Sequence, residues 1–122
     1  MDNEMIVLTD VALITCTVPR GNADAVVTAA RAAGAQGASI QYGRGAGIRE
    51  RLGIFSITVE AEKEIIQIMV SQQQQDDIFA AMYHAAKLDV PGMGIMFVTP
   101  LERAATYVSP KIREKLTKKV SE

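Results

Sequence analysis

Gly43-Arg44-Gly45-Ala46-Gly47-Ile48-Arg49-Glu50-Arg51-Leu52-Gly53 stands between two hydrophobic halves of the chain. It holds four of the nine glycines and three arginines. Glycine reaches backbone angles closed to other residues and admits a partner close to the main chain. Arginine offers a planar, permanently charged fork that suits phosphate or carboxylate. Such a segment reads as a ligand or partner loop on a rigid scaffold; the plainer alternative is a surface connection whose arginines only keep it solvated.

The scaffold on either side follows from local pattern. Before the loop, Val11 to Val18 is rich in β-branched residues and stops at Pro19-Arg20-Gly21-Asn22. It is expected as a first strand, with Leu13 and Thr15 on the face opposite Ile14 and Cys16. Asn22 suits a helix N-cap, Asp24 a first helical turn, and Gly34 the residue beyond the end of an alanine-rich helix. Ala38 to Tyr42 is expected as a second strand. After the loop, Ile54 to Val59 alternates as an arm or a half-buried strand, Glu60 to Glu64 reads as a charged break, and Ile65 to Val70 as a buried third strand. Gln72–Gln75 fit a connection and first helical turn, Asp76 and Asp77 reinforce that N-terminus, and Ile78, Met82, Ala85 and Ala86 form the apolar stripe of a second helix reaching about Leu88. Val90-Pro91-Gly92-Met93-Gly94 is a tight connection, and Ile95 to Val98 a fourth strand closed by Pro100. Ser109-Pro110 is expected to open a C-terminal helix over 109–120.

The order β-α-β, loop, β-α-β is that of an α+β protein: a ferredoxin-like βαββαβ sandwich with a C-terminal helix. Ile65 to Val70 and Ile95 to Val98 are apolar on both sides, so the sheet face away from the helices needs cover, and oligomerisation supplies it.

Composition narrows the function. A chain of 122 residues, 48% hydrophobic, is expected as one domain over 1–122. A net charge of -1, three Tyr, three Phe and no Trp give no footprint for nucleic acid. A single cysteine fits a reducing compartment. With no apolar run of membrane-spanning length and no basic n-region at the acidic N-terminus, a cytoplasmic protein is expected. Cys16 reads as a strand residue, His84 as structural or solvated, and Met69 and Met82 as core filler.

Three stretches together resemble the PII superfamily of trimeric signalling proteins, at its short-loop end: Ala32-Ala33-Gly34-Ala35-Gln36-Gly37-Ala38-Ser39, the long loop after the second strand, and Pro91-Gly92-Met93-Gly94-Ile95-Met96-Phe97-Val98. The resemblance covers roughly residues 10–108 through order and spacing. It implies a homotrimer whose inter-subunit clefts bind an adenine nucleotide reversibly (ADP, ATP, AMP or a cyclic form), with no tightly bound cofactor and no metal. It also implies a T-loop-like segment, 43–62, that engages a target protein such as a membrane transporter or a metabolic enzyme, in the manner of nitrogen regulation.

Carried over by position, Gly37 and Ser39 match the adenine and ribose side, Arg44, flanked by Gly43 and Gly45, a phosphate contact, and Gly92 and Gly94, either side of Met93, the glycines of a B-loop-like turn over 91–95. Lys63 matches a lysine that binds the carboxylate of 2-oxoglutarate in many members. Arg49, Glu50 and Arg51 fall in the partner-binding part of the loop. The sequence departs from the family at Ile95, Thr106 and Val108, where basic residues are usual, and at Gln67, where a glutamate is usual. Three missing cations cost a triphosphate several kcal/mol at about 1.5–3 kcal/mol per charged hydrogen bond, which directs attention to less charged nucleotides or another anion. Two other classes stand beside this one: a CutA-like trimeric metal-related protein, and a weak nucleotide hydrolase using Glu50, Glu60, Glu62 or Glu64 with Arg49 or Arg51. Scattered metal-ligand types and the lack of a nucleophile–base pair speak against both, so the expectation is a binding module and not an enzyme.

Overall fold

The computed structural model describes residues 5–45, 61–107 and 109–111. Strand β1 (Val11–Pro19) is followed by helix α1 (Ala23–Ala32), strands β2 (Ser39–Gly45) and β3 (Ala61–Ser71), helix α2 (Gln72–Ala86) and strand β4 (Ile95–Leu101). The strands form one antiparallel sheet in the order β2-β3-β1-β4, the ferredoxin-like arrangement expected from the element order.

The two-residue period of the strands separates two faces. Ile14, Cys16 and Val18 of β1 and Ile66, Ile68 and Val70 of β3 point to the helices and are fully or almost fully buried. They meet Val26 and Ala30 of α1 and Ile78, Met82 and Ala86 of α2 in one core. The opposite face carries Leu13 from β1, Ile65 and Met69 from β3, and Ile95 and Phe97 from β4. Ile95 is 56% exposed, Phe97 47% and Met69 39%. Met69 is therefore no core filler: the period that buries Ile68 and Val70 turns it outward.

Several boundaries differ from expectation. β3 starts at Ala61, so Glu62 and Glu64 belong to a strand, and the stretch read as a charged break continues the sheet. β2 runs on through Arg44 to Gly45, and β4 runs through Pro100 to Leu101. β4 is an edge strand, where a missing N–H is tolerated. α2 begins at Gln72, with Ser71 as its N-cap accepting from the Gln74 backbone N–H at 3.3 Å. All four glutamines are helical, and Asp76 and Asp77 lie beyond the first turn. Lys87 ends α2 in the left-handed region at φ 55°. Leu8 lies against the protein's own Ala104 through two backbone hydrogen bonds of 2.8 and 2.9 Å. Pro110 and Lys111 start a helical turn. The remainder of the expected C-terminal helix, the segment 46–60 with Ile54 to Val59, and Arg49, Glu50 and Arg51 lie outside the described residues.

Candidate functional site

The C-terminal end of β1 and the N-terminal end of β3 meet at Pro19↔Lys63. Beyond Pro19 the chain turns through Arg20, Gly21 and Asn22 into α1; Gly21 takes φ +96°. Asn22 occupies the N-cap position but makes no side-chain cap. Glu64, reaching across from β3, takes that role: its Oε1 accepts from the backbone N–H of Gly21 at 2.6 Å and of Ala23 at 3.1 Å. A buried carboxylate at a helix N-terminus satisfies orphan donors and meets the positive end of the helix dipole. Glu62, two residues earlier on the same face, pairs through its carboxylate with the Arg20 guanidinium. The Arg20 backbone N–H donates to the Glu62 carbonyl at 3.3 Å. Two glutamates thus fasten the turn that precedes α1.

Next to this turn, Arg20, Tyr42, Gly43, Arg44, Glu62 and Lys63 line an open cleft of about 440 Å³. β2 and β3 form its floor, with Gly43 opposite Lys63 and Arg44 opposite Glu62. Arg20 and Arg44 share the helix side of the sheet with the Glu62 carboxylate, and Lys63 borders the cleft from the other side of β3. Arg20 is bound to Glu62, whereas Arg44 and Lys63 make no ion pair among the described residues. This leaves net positive charge for a phosphate or carboxylate, and Tyr42 supplies an exposed aromatic ring beside it.

Of the residues singled out from sequence, Gly43, Arg44 and Lys63 are brought together here. Gly45 is the last residue of β2, opposite Ala61. Ser39 and Gln67 sit directly across from each other on the open sheet face. Gly37 lies exposed in the connection before β2. Gly92, Met93 and Gly94 precede β4 at the same end of the sheet, but on its other edge, about 14 Å from β2 at three strand spacings. Gly92 has φ +84° and open space around it, whereas Gly94 has φ +130° and lies so close to β1 that a Cβ would stand 2.0 Å from the Thr17 carbonyl oxygen. Glycine at 94 is thus explained by packing before any ligand is considered.

Sequence reading missed Arg20 and Tyr42 and placed Glu62 and Glu64 in a loop. The Pro19-Arg20-Gly21-Asn22 turn signalled a strand end without showing what it faces. His84 is exposed on α2, its ring edge-on to Tyr83 at 5.3 Å. Cys16 is buried, and burial pushes its thiol from 9.0 to about 11. No group of three His, Cys, Asp or Glu able to hold a metal occurs among the described residues, and no helix among them is long and apolar enough to cross a membrane.

The sheet order β2-β3-β1-β4 with two helices on one face is the ferredoxin-like fold that PII proteins share. The chain is similar to the crystal structure of PII from Arabidopsis thaliana bound to citrate, with a TM-score of 0.59 and 20% sequence identity, over 77% of this chain and 79% of that one. At that identity the likeness establishes the fold. No family model matches the sequence, and no curated protein matches it.

Proposed function

We propose that this chain is the subunit of a PII-like homotrimer that binds a small anionic effector, foremost an adenine nucleotide, and reports its occupancy to a target protein. The observation that carries the reading is the cleft with two uncommitted cations, Arg44 and Lys63, where β2 and β3 lead into and out of segment 46–60. The citrate bound by Arabidopsis PII is a carboxylate anion, and the charge of this cleft suits carboxylate and phosphate alike. The apolar open face, with Ile95, Phe97 and Met69, is the surface through which three copies associate. A neighbouring subunit then supplies the Gly92–Gly94 turn that one chain holds too far away. Occupancy is passed on through residues 43–62, with Arg49, Glu50 and Arg51 meeting a transporter or metabolic enzyme. The reading is one of binding and signalling in the cytoplasm, without catalysis.

The test is a thermal-shift screen followed by calorimetry with ATP, ADP, AMP, cyclic AMP, cyclic di-AMP, citrate and 2-oxoglutarate, with and without Mg2+. A ligand at a hundred times its Kd adds about 2.7 kcal/mol of stability. Arg44→Ala is expected to weaken the selected ligand by about tenfold or more, from a charged hydrogen bond of about 1.5–3 kcal/mol, and to sediment as wild type does. No response to any of these ligands, or a monomer at micromolar concentration, refutes the reading.

A further inference from the structure

We infer that Glu62 is a resident counter-ion of the cleft: its carboxylate occupies the place of a ligand anion on Arg20 and thereby sets how much negative charge a ligand needs to enter. The inference rests on the anion-binding reading of the cleft and adds a specificity-determining residue to it.

Three observations converge on Glu62. Its carboxylate is paired with the Arg20 guanidinium inside the cleft lining. It stands directly across the strand pair from Arg44 on the same sheet face, so it also lowers the field that Arg44 offers. Both partners of the pair are open to solvent, Arg20 at 70% and Glu62 at 51% side-chain exposure, and an exposed pair of this kind exchanges its partner at little cost.

The backbone around the pair is held independently. Glu64 grips the N–H groups of Gly21 and Ala23, and the Arg20 N–H is bonded to the Glu62 carbonyl. Arg20 can therefore hand its guanidinium from Glu62 to a ligand phosphate or carboxylate while the turn stays in place. A singly charged ligand has to compete with a carboxylate already there. A ligand with two or more negative charges gains Arg20 and Arg44 together and displaces it.

A purely structural role for Glu62, as a latch on the turn, predicts the opposite sign for its removal, and this makes the inference testable. Binding of citrate, ADP and acetate to the full-length protein is measured by calorimetry for wild type, Glu62→Gln, Arg20→Ala and the double variant, with oligomeric state and Tm recorded for each. Glu62→Gln is expected to bind citrate and ADP about three- to fivefold more tightly, the size of an exposed ion pair. Its gain for acetate should be at least as large. Arg20→Ala should weaken binding, because it leaves Glu62 unpaired and facing the ligand, and the double variant should recover most of that loss.

Binding in Glu62→Gln where wild type shows none also supports the inference. Equal or weaker binding in Glu62→Gln, with wild type binding normally, overturns it and leaves the anion-binding reading standing. No binding of either multiply charged anion by wild type and Glu62→Gln alike overturns both.

Discussion

Replacing Glu64 is the sharpest test of how the site is held. Its carboxylate accepts from Gly21 and Ala23 at 2.6 and 3.1 Å. The two donors are not equivalent: Gly21 is exposed, so water replaces its acceptor, whereas Ala23 is 1% exposed and would be left with a buried, unpaired N–H. Glu64→Ala therefore loses an N-terminal cap, about 1 kcal/mol, and orphans one buried donor, about 1–3 kcal/mol, for a total of about 2–4 kcal/mol. Glu64→Gln retains an amide oxygen to accept from both groups and gives up mainly the charge against the helix dipole, about 1 kcal/mol. Urea unfolding followed by circular dichroism, at one fixed protein concentration because the proposed assembly would contribute to apparent stability, separates the two variants. Equal losses in both would refute the capping role, since only the alanine variant removes the acceptor. A loss under 0.5 kcal/mol in both, roughly the scatter of surface substitutions, would refute it as well.

Two further expectations concern other parts of the molecule. Gly94→Ala places a Cβ 2.0 Å from the Thr17 carbonyl oxygen and forces β4 off β1, for a loss beyond about 4 kcal/mol. Gly92→Ala meets no atom within 4 Å and costs only the left-handed backbone, about 1–2 kcal/mol; thermal melts of the pair check this. For Cys16, the folded thiol keeps its proton to about pH 11 while the unfolded thiol ionises from about 9.0. Above pH 9 the unfolded chain binds fewer protons, so stability falls as pH rises across that window. Cys16→Ala should abolish that part of the slope, and native protein at pH 8 should resist alkylation until unfolded.

Much of the fold is legible in the sequence because its signals are local. The β-branched run from Val11 to Val18, the alanine-rich helix before Gly34 and the Ile78, Met82, Ala86 stripe each announce an element without knowledge of the rest. The apolar character of Ile65 to Val70 on both sides likewise points to a sheet with a face to cover. The site is less legible because its contacts cross the chain. Glu62 and Glu64 look like a break when read against their neighbours; their partners, Arg20, Gly21 and Ala23, lie some forty residues earlier. Asn22 has the right chemistry for a cap, but a buried carboxylate brought in by a different strand takes the same donors. Gly94 reads as a phosphate cradle from its loop, and only the packing of β4 on β1 shows the carbonyl that excludes any side chain there.

The run Glu62-Lys63-Glu64 also bears on how β3 finds its place. In the observed register the glutamates share the helix side and Lys63 the other. A slip of one residue exchanges the two faces, which would put the Lys63 ammonium under the amino end of α1, facing backbone N–H donors and the positive end of the helix dipole. A slip in the other direction would set that ammonium where Arg20 now finds its carboxylate. Adjacent strands that would tolerate such a slip on apolar pattern alone, given the hydrophobic residues on both faces of β3, are thus kept in step by alternating charge at the mouth of the sheet. The same three residues that border the cleft and cap the neighbouring helix also proofread the pairing that builds both.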